Sequence, residues 1–395
     1  MLFWIRYFIF FLGLSSLSLG EEVGMTLVDF GEKIFFDDSL SDPAGQGCFS
    51  CHSPRHAFSD GRAVSPGAVL GEVGVRNAPS LMYAALIPSR KLEDTYDEAG
   101  EVEYIVEGGF FHDGRAHDLR EQVSQPFFTK HEMNLPNESA LAAKLRAAGY
   151  AGFLKTKLSE GELVDDEKVC ELAFDALVAF LREPVFRPFN ARIDQYWAGD
   201  KDALSLAEKR GMDLFRTSAG CADCHLMGAS EWLEPLLSDY GFDNLGVPKR
   251  GKADPGLGGV TGLEEELGQF KVPSLRNVAL TAPYFHNGSV GTLKEVMEFY
   301  NKRDVEPERW GETDYPATVN REDMGDLELS EQDVADLVAF MHTFTDQHLE
   351  GLEKERELPE VPAGVPSTEE RKAFFQPKWR FDLSQPRRPR ESSDE

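Results

Sequence analysis

The sequence predicts a mainly α-helical fold in two domains of one plan, and three observations predict it. The pattern C-x-x-C-H occurs twice, as Cys48-Phe49-Ser50-Cys51-His52 and Cys221-Ala222-Asp223-Cys224-His225. Related segments flank each copy in the same order, the mark of an internal repeat. Apolar residues recur at helical spacing, as Val169, Leu172, Ala173, Ala176, Leu177 and Phe180 do.

Composition sets the outer bounds. At about 150 residues per domain, 395 residues predict two or three domains. The 41% hydrophobic and 28% charged fractions are those of an ordinary globular protein. A net charge of -28 argues against a nucleic-acid partner and would steer a basic protein toward the surface. No internal stretch approaches the roughly 18 apolar residues of a membrane span. At the N-terminus, Arg6, the apolar block Tyr7–Leu14 and the small residues ending Ser18-Leu19-Gly20 are ordered as in a secretory signal peptide, 1–20, cleaved near Gly20. Uncleaved, the block would tether the chain to a membrane.

Five cysteines are too few for a disulfide scaffold, and four of them lie in the two C-x-x-C-H sites. That spacing is the attachment site for c-type haem. Two thiols add to the two vinyl groups of one haem, and the adjacent histidine reaches the iron. A redox dithiol or half a zinc site would explain one copy, not two without partner dithiols. Cys170, the leftover, lies on the periodic stretch 169–181 and reads as a buried, inert thiol.

Taken in order, each half opens on an amphipathic stretch, Phe30–Phe35 and then Arg210–Phe215. The attachment motif follows, then Phe111-His112-Asp113-Gly114 in the first half and Phe285-His286-Asn287-Gly288 in the second, 60 and 61 residues past the motif histidine. Each half closes on a helix containing Leu-Val-Ala-Phe, at 177–180 and 337–340. The second is expected to start at Ser330, with Asp333 three residues on. This is the layout of a small c-type cytochrome domain. The predicted fold is therefore two fused cytochrome c-like domains, 21–190 and 191–350, each wrapped around one covalently bound c-type haem. A proline-rich, charged tail occupies 351–395, where Phe374, Phe375 and Trp379 offer docking groups.

With these motifs go Arg76-Asn77-Ala78-Pro79-Ser80, the block 110–133 (FFHDGRAHDLREQVSQPFFTKHEM) and the block 270–301 (FKVPSLRNVALTAPYFHNGSVGTLKEVMEFYN). Together they resemble the bacterial di-haem cytochrome c peroxidases, in the MauG-like branch, over roughly residues 26–345. The resemblance implies a periplasmic enzyme in which hydrogen peroxide reacts at the N-terminal haem and the C-terminal haem relays electrons. The electrons would come from a small redox protein or from a protein substrate. It also implies proximal ligands at His52 and His225, with Gln122, Pro126 and Glu132 in the distal pocket of the peroxidatic haem. Bound peroxide must move a proton to its outer oxygen before the O–O bond breaks, and Glu132 supplies the acid and base. Gln122 can hold the oxidant by hydrogen bonds.

The second haem's distal ligand separates the branches. The position where conventional members carry methionine falls here on Tyr300; Met297 and Met324 are the alternatives. An anionic tyrosinate lowers the iron's potential, whereas methionine raises it. The loop Ser65–Val75 has no histidine to block the first iron, which points to an open site without reductive activation. Asn77, Thr281 and the carbonyl of Pro283 match a calcium site between the haems, whose oxygen donors suit a hard cation; the alternative is that they are turn residues. Where most members carry tryptophan between the haems this chain has His112, either a substitute relay or a structural residue. Trp197, Trp232 and Trp310 are further relay positions or simple packing. The rival readings are a conventional peroxidase fed by a small redox protein and a non-catalytic di-haem electron carrier.

Overall fold

The computed structural model describes residues 24–96, 102–227 and 235–349. The segment 1–20 expected to be a signal peptide, the tail with Phe374, Phe375 and Trp379, and Trp232 lie outside the described residues.

The first half opens on α1, Leu27–Phe35. Thr26 caps it: its side chain accepts from Asp29 N while the Asp29 carboxylate accepts from Thr26 N, satisfying free donors at the helix start. Phe30, Ile34 and Phe35 form its buried face. A hairpin follows, β1 Lys91–Tyr96 paired antiparallel with β2 Val102–Glu107. Then come α2 Leu119–Phe128, α3 Glu138–Ala147, α4 Ala151–Lys157 and the closing helix α5 Asp166–Leu181. The second half repeats the frame with α6 Leu206–Arg216, α7 Leu293–Lys302 and the closing helix α8 Glu331–His342. The expected cap of α8 is present, since Ser330 and Asp333 bond reciprocally. No helix of the described residues is long and apolar enough to cross a membrane.

Each half has its own buried core, built where the opening helix crosses the closing one. The two crossings are copies. Phe35 packs on Phe180 with ring centroids 5.5 Å apart, and Phe215 packs on Phe340 at the same 5.5 Å. Gly31 sits against the Ala176 carbonyl, and Gly211 against the equivalent Asp336 carbonyl, so a methyl group at either glycine would run into the facing helix backbone. The two glycines thus set how closely the helices approach. Cys170 is buried on α5, where its Sγ lies 3.4 Å from the Glu138 carbonyl and burial pushes the thiol up to about 12.

A second repeat surrounds two prolines. Ala78-Pro79-Ser80-Leu81 corresponds to Val272-Pro273-Ser274-Leu275. Ser80 donates to the Ala57 carbonyl and Ser274 to the Leu236 carbonyl. Ser59 and Ser238 return the contact by donating to the Ala78 and Val272 carbonyls. These four bonds staple each proline segment beside the chain that follows its C-x-x-C-H motif. Four residues past each proline, Tyr83 and Asn277 adopt the left-handed conformation at φ 62° and 61°.

Substituting Gly31→Ala should cost about 1–3 kcal/mol, the usual penalty for overpacking a tight contact. Thermal denaturation of the holoprotein should show a lowered midpoint for Gly31→Ala and Gly211→Ala, and no comparable loss for an exposed glycine such as Gly161→Ala.

Candidate functional site

Both C-x-x-C-H motifs fold the same way. A single 3-10 turn, Cys48–Ser50 or Cys221–Asp223, places the two thiols of each pair on one short segment. His52 Nδ1 lies 2.9 Å from the Phe58 carbonyl, and His225 Nδ1 lies 2.9 Å from the Leu237 carbonyl. A carbonyl can only accept, so Nδ1 carries the proton and Nε2 keeps its lone pair for a metal. Burial holds both imidazoles below their ordinary pKa and therefore neutral, the ligating form. Burial also pushes the Cys48, Cys51 and Cys221 thiols up to about 12 and Cys224 up to about 11. Such buried, protonated thiols are poor redox dithiols; as thioethers they carry no proton to lose.

A cavity of about 410 Å³ extends from the second motif into the seam between the halves. Cys221, Cys224, His225, Met297, Tyr300 and Met324 line it in the second half, and Tyr83, Phe110, His112 and Gln122 in the first. Tyr300 lies on α7, one turn beyond Met297, and with Met324 all three residues named for the distal position line the same space. Burial, with the nearby Cys221 and Cys224, holds the phenol of Tyr300 above its ordinary pKa.

Gln122 and Pro126 fall on one face of α2, four residues apart. Pro126 has no N–H to return to the Gln122 carbonyl. Glu132 follows the helix end; its carbonyl accepts from Ala68 N at 2.7 Å, tying down the loop 65–75, whose Leu70 is 87% exposed. The Glu132 charge adds slightly to the raised pKa of the Cys48 and Cys51 thiols, so the carboxylate lies within electrostatic reach of the first motif. Burial raises its pKa, opposed by Arg115.

His112 lies in the seam. Its Nε2 is 2.9 Å from the Asn77 carbonyl, and burial pushes its pKa down to about 4. The halves are cross-braced around it. Asn77 N donates to the His286 carbonyl at 2.7 Å, and its repeat counterpart Lys271 N donates to the His112 carbonyl at 2.7 Å. His286 stacks on Phe270 with centroids 3.6 Å apart. The Lys271 ammonium donates to the Gly109 carbonyl, and burial pushes its pKa down to about 7. Beside this brace Arg76 pairs with Asp113 at 2.6 Å and, through two bonds of 2.7 Å, with Asp254 of the other half. Sequence reading gave no role to Lys271, Asp113 or Asp254; the paired Pro-Ser-Leu segments were a signal for Lys271, two residues before Pro273, whereas nothing local marks the ion pairs of the two aspartates.

Asn77, Thr281 and Pro283 line the same cavity. Asn77 Nδ2 donates to the Arg62 carbonyl at 2.9 Å, which turns its Oδ1 to the opposite side. Among the described residues no cluster of three or more His, Cys, Asp and Glu is placed to hold a metal ion. Trp197 lies 5.8 Å from the Arg276 guanidinium, and Trp310 packs edge-on against Phe299.

Comparison with known proteins agrees with this geometry. The family model described as di-haem cytochrome c peroxidase matches residues 25–202, and one described as RoxA-like, cytochrome c-like matches 269–310. The chain is 34% identical to the methylamine utilization protein MauG of Paracoccus denitrificans over 83% of this chain and 91% of that one. It is 28% identical to the cytochrome c551 peroxidase of Nitrosomonas europaea over 85% and 83%. Among solved structures it resembles the diheme peroxidase BthA of Burkholderia thailandensis, with a TM-score of 0.74 and 30% identity over 86% and 90% of the two chains. The chain belongs to the di-haem cytochrome c peroxidase (MauG) family. It is accordingly a di-haem peroxidase, an oxidoreductase with two c-type haems that takes hydrogen peroxide as oxidant.

Burial alone would raise the Asp113 and Asp254 carboxyls; the hydrogen bonds and charge of Arg76 outweigh it and hold both below the usual range. A lowered folded pKa stabilises fully above the unfolded value and is lost as pH falls through the folded one. The melting temperature should therefore drop on acidification below about pH 4, the ordinary aspartate value. Arg76→Leu should be destabilised at neutral pH and lose that part of the acid dependence.

Proposed function

We propose that the chain is a periplasmic peroxidase of the MauG-like kind, reacting with hydrogen peroxide at the first haem without prior reduction. One observation carries this reading: Glu132 is a half-buried carboxyl within electrostatic reach of the first motif's cysteines, and the loop its carbonyl tethers contains no histidine. When bound, the two haems supply the peroxide-reactive iron and an electron store, attached at Cys48, Cys51, Cys221 and Cys224 and ligated by His52 and His225. Glu132 takes the proton from the inner oxygen of peroxide and returns it to the outer one. Its raised pKa suits both halves of that transfer. Gln122 orients the oxidant from the same face as Pro126, which narrows the pocket.

Tyr300 would be the protein's ligand on the distal side of the second haem in this reading. Desolvation disfavours the free tyrosinate, so its ionisation requires the cation it binds. Asn77, Thr281 and Pro283 offer amide, hydroxyl or carbonyl oxygens, hard donors that suit calcium, and an ion there would pin the seam. His112 braces the seam in this reading, its carbonyl accepting from Lys271 N across it and its ring bonding the Asn77 carbonyl beside it. The electrons would come from a small redox protein or from a protein substrate, with the second haem, held at Cys221, Cys224 and His225, supplying the electron store between donor and peroxide.

Stopped-flow absorbance of the fully oxidised holoprotein mixed with a slight excess of peroxide tests the reading. Rapid loss of the ferric Soret band and a long-lived oxidised product are expected. No reaction until one electron is added would instead establish a conventional peroxidase, and no reaction in either state an electron carrier. Glu132→Gln should slow the reaction by about 10²–10⁴-fold, the range for loss of a general acid–base. Tyr300→Met should shift the second haem's potential upward in a spectroelectrochemical titration; an unchanged potential would assign the ligand elsewhere.

A further inference from the structure

The two repeats converge on one carboxylate that the peroxide chemistry above does not use. Asp346 follows α8 and is fully buried. Tyr83, from the first half, places its hydroxyl 2.9 Å from both carboxylate oxygens. Asn277, the counterpart of Tyr83 in the second half, donates Nδ2 to the same carboxylate at 2.8 Å and accepts from Asp346 N at 2.8 Å. The hydroxyl oxygen of Tyr83 also accepts from Phe189 N at 3.0 Å. The phenolic proton is therefore directed at Asp346, and every hydrogen-bonding group that faces this carboxylate, including Asn190 N at 3.3 Å, is a donor. That arrangement fits an ionised aspartate with room for a proton.

Tyr83 is 1% exposed and lines the cavity that also holds His225 and Tyr300. The Phe189 ring, at 4.8 Å, packs against its own. A tyrosine so buried is hard to oxidise unless its proton leaves with the electron, because an uncompensated charge in a low-dielectric interior is costly. Asp346 removes that obstacle. Burial raises its carboxyl above the ordinary range and makes it the stronger base, while burial and the aspartate charge keep the Tyr83 phenol protonated at rest.

We propose that Tyr83 is a redox-active residue of this peroxidase, yielding one electron to the haem in the adjoining cavity while its phenolic proton passes to Asp346. The proposal rests on the peroxidase activity of the chain, with hydrogen peroxide as the oxidant. Peroxide takes two electrons, and two protons from solvent, to give two waters. Tyr83 supplies one of the electrons and the bound haems the other. The tyrosine O–H bond breaks, an O–H bond forms on Asp346, and a neutral tyrosyl radical and a neutral carboxylic acid remain. When a donor later returns the electron, the proton goes back across the same hydrogen bond.

Freeze-quench electron paramagnetic resonance of the holoprotein after peroxide addition, with no donor present, tests this. The Soret change is recorded on the same samples. A radical signal is expected that narrows in protein grown on ring-deuterated tyrosine and is lost in Tyr83→Phe, with the Soret reaction intact. Asp346→Asn keeps the shape but removes the base, and the signal should be weak in that variant too. Haem content and melting temperature are measured for both variants, since a clamp without redox function would lower the melting temperature and leave the radical signal unchanged. Persistence of the signal in folded Tyr83→Phe, or no tyrosyl signal in the wild type despite a Soret reaction, overturns the proposal. If the fully oxidised enzyme does not react, the open-site reading fails instead, and the one-electron-reduced enzyme decides this proposal by the same signal.

Discussion

Two backbone hydrogen bonds across the seam govern how this molecule works as one unit. Asn77 N to the His286 carbonyl, and Lys271 N to the His112 carbonyl, are the same bond made in opposite directions by the two repeats. Each clasps the turn of one half to the segment that runs beside the motif histidine of the other. A shift of one half would break both bonds and open a cavity whose walls come from both sides. The Arg76 bridge to Asp113 and Asp254 adds charge to the brace, and its burial makes the loss of any partner costly.

Within each half the requirement is different. The motif histidine must present a neutral imidazole with Nε2 free, and one carbonyl, from Phe58 or Leu237, arranges that. The paired serine bonds then hold the proline segment against this carbonyl-bearing chain. A protein core normally supplies such rigidity through large side chains. Here the cores sit at the crossings of the opening and closing helices, and the motif segments depend on backbone and serine bonds because the space beside them is reserved for a prosthetic group.

The halves have diverged where chemistry differs. Tyr83 and Asn277 hold the same backbone conformation and bond the same aspartate, yet only the first has an oxidisable side chain. Asn77 and Lys271 make the same cross-seam bond, yet one offers an amide oxygen and the other an ammonium whose pKa burial brings near neutrality. His112 and His286 share a turn, but one bonds the Asn77 carbonyl and the other stacks on Phe270.

Much of this was legible in the chain itself. The two C-x-x-C-H motifs, the capping pair Ser330 and Asp333, and the Leu-Val-Ala-Phe helices are local patterns, set by covalent spacing and helical period, and they alone call for two haem-binding halves of helical type. The buried state of Cys170 followed from its place on the apolar stripe of its helix. What only the tertiary structure decided are contacts between residues far apart in sequence: Arg76 with Asp254, Tyr83 with Asp346, Asn77 with His286. No local pattern marks these, because an aspartate that will be buried reads in sequence like one on the surface. Only the packing of one repeat against the other removes the water and makes the partner obligatory.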